Sequence, residues 1–222
     1  MNSLRKLFQE SRNYIQFATF LFIGGALLGF IFQQQFEPMV SQLLKELGKI
    51  KELLAVKDSA LYTSWFIFQN NFKTALTMLL LGSIIFVLPM ITLFLNGLLV
   101  GYVLKATALA GVSASKVFIV GILPHGILEL PAILIAGGIG IFLGLNVFRW
   151  FFGRGKFFSI LFSNERSDLQ SYLEKGRETF KKRLKGIMYL IIVLFLTLLI
   201  AAFIEGYITP VTIQKFVAIP SK

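Results

Sequence analysis

Between Ala75 and Leu104 the chain runs for about thirty residues without one charged side chain. As a single α-helix that run would be ~45 Å long at ~1.5 Å per residue, half as long again as the ~30 Å hydrocarbon core of a bilayer. A globular core built from 222 residues has no use for so long an apolar stretch, and the composition agrees, with 56% of residues hydrophobic and 15% charged against about a quarter charged in soluble domains. Inside lipid a backbone must satisfy its own hydrogen bonds, so runs of this kind are helices and the expected class is an all-α polytopic membrane protein. The run itself must tilt strongly, kink at Pro89, or turn back near Asn96-Gly97.

Charge then orders the spans. The net charge of +11 reads first as the basic bias of cytoplasmic loops in a multi-pass protein, so no nucleic-acid partner is expected. Arg5, Lys6 and Arg12 put the N-terminus in the cytoplasm, and Arg149 to Lys185, with ten basic residues against four acidic ones, belongs on the same side. Tyr14 to Phe32 crosses once, so an odd number of crossings lies between Lys73 and Arg149. Three fit, near Thr74 to Leu95, Leu98 to Ala114 and Lys116 to Phe148, with the last broken at the Pro-His-Gly motif. A rival makes Ala75 to Leu104 one kinked span and folds Val117 to Phe148 into a re-entrant pair. Ile187 to Ile204 completes about five transmembrane helices, with the C-terminus outside the cell membrane. Residues 1–222 form a single membrane domain. It carries an outward amphipathic segment near 36–58, striped by Leu43, Leu47, Ile50 and Leu54, and a cytoplasmic basic helix near 164–185. Asn70 and Asn71, behind the interfacial aromatics Trp65, Phe66 and Phe68, read as a helix-start motif. Gly25 and Gly29 form a small-xxx-small pair.

The stretch Ile122 to Gly144, ILPHGILELPAILIAGGIGIFLG, carries the chemistry. An ionisable pair inside a membrane segment is a functional-site hypothesis by default. His125, the sole histidine, and Glu129 stand four apart on one helical face if Pro124 occupies the first turn. Pro131 then removes a backbone hydrogen bond, and Gly126, Gly137, Gly138, Gly140 and Gly144 leave the helix bent or tightly packed against neighbours. Asn96 and Lys105 join the intramembrane polar set, while Glu205 is expected at the outer end of its span, solvated by water. With no second histidine and no cysteine, one His and one Glu fall short of a metal centre, and no HExxH is present; neither a metal nor a cofactor is expected. No GxSxG elbow is present, so no catalytic residues are assigned. Two uses of the pair stay open: a self-satisfied pin between helices, or a step in a proton or ion path.

FQNN at Phe68 to Asn71, the Asn96-Gly97-x-x-x-Gly101 element and above all PHGILELPAILIAGGIGIFLG from Pro124 to Gly144 resemble the stage II sporulation protein M family of integral membrane proteins. The resemblance implies about five spans in the cytoplasmic membrane. It also implies the role of a scaffold, which in endospore formers holds peptidoglycan-degrading partners. The family reaches beyond spore formers, so sporulation itself is not implied. The expected function is a non-enzymatic scaffold or assembly component of the cell envelope; a transporter or channel component is the alternative. Membrane lipid and protein partners in the envelope are expected, and a homo-oligomer is open.

Overall fold

The structure, a computed structural model, describes residues 2–42, 59–152 and 166–216. Among them every regular element is helical: α1 (Asn2–Ile31), α2 (33–42), α3 (Ala60–Leu80), α4 (Val87–Leu109), the single turn α5 (Ala114–Lys116), α6 (Leu123–Phe152), α7 (Arg166–Phe203) and α8 (Thr209–Phe216). Two π-helical turns, Val117–Ile122 and Ile204–Ile208, join α5 to α6 and α7 to α8. Four segments are long and apolar enough to cross a membrane: Ser3–Ile31, Val87–Leu109, Ala114–Arg149 and Gly176–Phe216. The fifth rod is α3, which carries Gln69, Asn70, Asn71 and Lys73 along its middle.

Contacts fix the direction of each rod. The Phe22 carbonyl meets Gly97 and the Ala26 carbonyl meets Gly101, so α1 and α4 run parallel. Phe86 lies on Phe148 while Leu93 lies on Gly137, so α6 runs back against α4. The Met78 and Gly82 carbonyls meet Gly140 and Gly144, which sets α3 parallel to α6. Arg183 covers the Phe142 ring and Glu205 reaches His125, so α7 opposes α6. The five rods therefore alternate in direction. α1 begins against α7 at Gly186, near Arg183, and the described chain finishes at the other end of the bundle, against residues 117–125.

The long apolar run divides at residues 81–86, not at Asn96-Gly97, and Pro89 produces no kink. Pro89 is the third residue of α4, where a missing N–H costs nothing. Asn96 and Gly97 lie inside α4, and that helix ends instead on Gly111, at φ 80°. The Val112 and Gly111 amides return to the Thr107 and Ala108 carbonyls, a double bond pattern that needs the left-handed residue glycine tolerates. The basic helix and the last apolar span, expected as separate pieces, are one helix, α7. The outward segment is described only as far as residue 42; its stripe from Leu43 to Leu54 lies outside the described residues.

Lipid offers no hydrophobic drive between helices, so close packing must hold the bundle. Gly25 and Gly29 of α1 face the Phe94 and Leu98 backbone, and Gly97 and Gly101 of α4 face that of α1; a Cβ at any of them would overlap a carbonyl. The glycines of α6 each serve a neighbour: Gly137 receives Leu93, Gly138 lies on Ile15, and Gly140 and Gly144 take α3 and the turn behind it. Gly126 meets only side chains at ordinary contact distance. Around these seams Leu79, Ala136, Ile139, Leu194 and Leu198 form the centre of the main core.

Candidate intramembrane polar site

Pro124 shapes the site before any titratable group does. In α register the Val120 carbonyl would take the N–H of residue 124, and proline has none. The ladder there widens to a π turn, with the Leu123 amide donating to Phe118, and the Val120 carbonyl lies 3.2 Å from the Thr212 hydroxyl of α8, which also reaches the Thr209 and Ile208 carbonyls at 2.9 and 3.2 Å. The same construction recurs in the other segment, where Pro210 follows the π turn Ile204–Ile208 and the Thr209 amide reaches back to Ile204. Each π turn has a buried glycine, Gly121 in one and Gly206 in the other. α6 then runs unbroken from Leu123 through Pro131 to Phe152, so the motif is neither a break nor a re-entrant loop; the distortion lies ahead of it.

These turns bring together residues from the middle and from the last part of the sequence. His125 and Glu129 share a face of α6 as expected, and Glu205, from the second π turn, joins them; one donor atom from each lies within 4.8 Å of the others. His125 Nε2 is 4.0 Å from a Glu205 carboxylate oxygen, with side chains 14% and 32% exposed. The other ring nitrogen, Nδ1, is 3.4 Å from Thr209 Oγ1, and that hydroxyl lies 3.4 Å from the Ile204 carbonyl. With Nδ1 engaged by Thr209, Nε2 is the ring nitrogen that faces Glu205. Behind the second turn, the Ser64 hydroxyl of α3 is buried against Gly206 and has no hydrogen-bond partner among the described residues.

Glu205 is thus partly exposed and at the same time faces the histidine, a contact its sequence position did not announce. Asn96 and Lys105 are not in the cluster. Lys105 Nζ sits 5.3 Å above the Phe30 ring of α1, and Asn96 lies on α4 beside Gly97, whose backbone meets α1. Asn70 and Asn71 start no helix. Ser59 caps α3 by accepting from the Tyr62 amide at 3.4 Å, and the asparagines lie ten residues further in. Sequence reasoning missed Glu205, Thr209 and Thr212. The signal was a second glycine-to-proline stretch, Gly206 to Pro210, one residue longer than Gly121 to Pro124.

A comparison with protein families agrees with the motif. The profile described as Stage II sporulation protein M matches residues 18–210. The chain belongs to the stage II sporulation protein M family. No curated protein and no solved structure gave a significant match. In this family member the match begins within α1, takes in α3, α4, α6 and α7, and ends at Pro210, so the His125, Glu129 and Glu205 cluster falls wholly within it.

Proposed function

We propose that this stage II sporulation protein M family member is a non-enzymatic scaffold of the cell membrane. Its glycine-locked bundle presents one polar helix face to a partner protein. The observation that carries this is the outward side of α3. Phe68 and Phe72 pack edge-on against Phe195, in the middle of the most apolar part of α7, which places residues 69–73 at mid-depth. At that level Gln69, Asn70 and Lys73 are exposed on the outside of the bundle. Lysine can snorkel, but amide side chains cannot reach water from there, and polar groups facing hydrocarbon are costly. The occupant that fits is a membrane helix of another protein offering carboxylate or carbonyl acceptors to the amides and to Lys73. Arg5, Lys6, Arg12, Arg149 and the basic residues 177–185 gather at one end of the bundle, which supports a cytoplasmic N-terminus and an outside C-terminus.

A photo-crosslinking residue at Gln69, activated in intact membranes, tests the reading. A discrete protein adduct is expected, abolished when Asn70 and Lys73 become leucine while the bundle stays folded. An adduct of twice the chain mass makes the partner a second copy, which overturns the heterologous scaffold; adducts with lipid alone overturn assembly through this face. The third carboxylate, Glu205, favours a second reading, proton or ion movement through the polar cluster. A flux across vesicles that Glu129→Gln abolishes without disturbing assembly would establish it.

A further inference from the structure

We infer that His125, Glu129 and Glu205 form a binding site for one divalent transition-metal ion, of the Zn²⁺, Mn²⁺ or Fe²⁺ class. The site goes beyond the scaffold reading and does not depend on what covers α3. His125 and Glu129 present ligands from one helical face at the i, i+4 spacing that suits a pair of metal donors. Glu205 supplies the third from across the interface, and all three donor atoms lie within 4.8 Å of one another. A tetrahedral ion with ~2.1 Å bonds sets its ligand atoms ~3.4 Å apart. The 4.0 Å between His125 Nε2 and Glu205 therefore needs a closure well within one side-chain adjustment.

Three further features favour a cation. Two carboxylates held this close repel each other in a half-buried place, and a dication offsets both at once. His125 is already oriented, with Nδ1 engaged by Thr209 and Nε2 turned to Glu205, the outer-shell arrangement that fixes a metal-binding imidazole. The donor set of one imidazole nitrogen and carboxylate oxygens suits borderline and hard divalent ions. It supplies neither the thiolates of Cu(I) nor the six to eight oxygens of a Ca²⁺ cage. With three protein ligands, at least one coordination position stays open, and the partial exposure of Glu205 gives access from the end of the bundle.

The test uses the full chain without a histidine tag, purified in nonionic micelles, stripped with chelator and titrated with Co²⁺ alone, then Zn²⁺. One equivalent of Co²⁺ should give visible absorption bands that Zn²⁺ displaces. Glu129→Gln and Glu205→Gln should each weaken binding at least tenfold and Thr209→Val about tenfold or more, while Glu10→Gln, at the far end of the bundle, should leave it unchanged. Because His125 is the only histidine, its carbethoxylation gives a readout on the unmodified sequence that no misfolded variant can confuse. Zn²⁺ should slow that reaction at least tenfold. Equal rates with and without metal, or Co²⁺ binding undiminished in both glutamine variants, would overturn the site.

Discussion

Gly24 and Gly25 are neighbours in the same apolar helix, yet alanine at the two positions should move stability in opposite directions. A Cβ at Gly24 meets nothing within 4 Å, whereas one at Gly25 would overlap the Phe94 carbonyl and crowd the Leu98 backbone. At Gly24 the substitution only removes the conformational freedom of glycine, a gain of about 0.5–1 kcal/mol. At Gly25 the same gain is opposed. A carbon needs ~3.3 Å from a carbonyl oxygen, so α1 and α4 must part by about an ångström. A gap of that size forfeits up to half of each contact along the seam, and overpacking of this kind costs about 1–3 kcal/mol. The net expectation is a loss of roughly 1–2 kcal/mol for Gly25→Ala against a gain below ~1 kcal/mol for Gly24→Ala. In a chain of this size that lowers the melting temperature by about 3–6 °C in one case and raises it by about 2 °C in the other. Thermal unfolding in micelles, followed by helical circular dichroism, measures both. Gly97→Ala added to Gly25→Ala should cost less than its single value, because the helices have already separated. Equal shifts for Gly24 and Gly25, or strict additivity with Gly97, would refute the steric seam.

Thr212→Val removes the hydroxyl that reaches the Val120 carbonyl and should cost about 1 kcal/mol, seen as faster amide exchange confined to residues 204–216. Arg183→Lys keeps a cation opposite Glu10 but loses the guanidinium stacked 5.0 Å from the Phe142 ring. A loss of about 0.5–1 kcal/mol is expected, and a double-mutant cycle with Phe142→Leu should return a coupling of that size, whereas a coupling of zero would contradict the contact. Cysteines placed at Ala110 and at Gly176 in this cysteine-free chain should react with impermeant maleimide from opposite sides of the membrane; reaction from one side contradicts the alternation of the five rods.

The long apolar helices were legible because apolar length is carried by whole segments, but the expected bounds Thr74 to Leu95 and Leu98 to Ala114 gave way to α3 at Ala60–Leu80 and α4 at Val87–Leu109. The internal break was not. LLLGSIIFV at Leu79 to Val87 contains no strong breaker, whereas Asn96-Gly97 has the composition of a turn. In lipid a glycine is as readily a packing surface as a turn, and only the Phe22 and Ala26 carbonyls lying over Gly97 and Gly101 tell which. Asn70 and Asn71 misled for a related reason. Asparagine favours caps in water, but here the pair sits in mid-helix with Asn70 exposed on the outer face, and Ser59 provides the cap. Of the polar site, the half on α6 was readable from one motif. Glu205 was not, because it comes from another helix, and which helices pack together is not written in the spacing of either one.

The two prolines explain why the polar residues meet where they do. A proline within a membrane helix disturbs the hydrogen-bond ladder behind it, and lipid cannot repair the disturbance, so the damaged backbone must lie against protein. Here the first disturbed turn lies against α8, at Ile213, and the second against α3, at Ala60 and Ser64. The Val120 carbonyl of one finds the Thr212 hydroxyl beyond the other, and His125, next to Pro124, finds Thr209, next to Pro210. Once packed in this way the turns make a half-buried place lined by backbone and hydroxyl groups, where carboxylates can be held at a cost lower than in hydrocarbon. Glu129 and Glu205 occupy it. The glycine seams fix the rest of the bundle backbone to backbone, and this leaves the end bearing the prolines as the part whose geometry is set by polar contacts, and so the part able to respond to a bound ion.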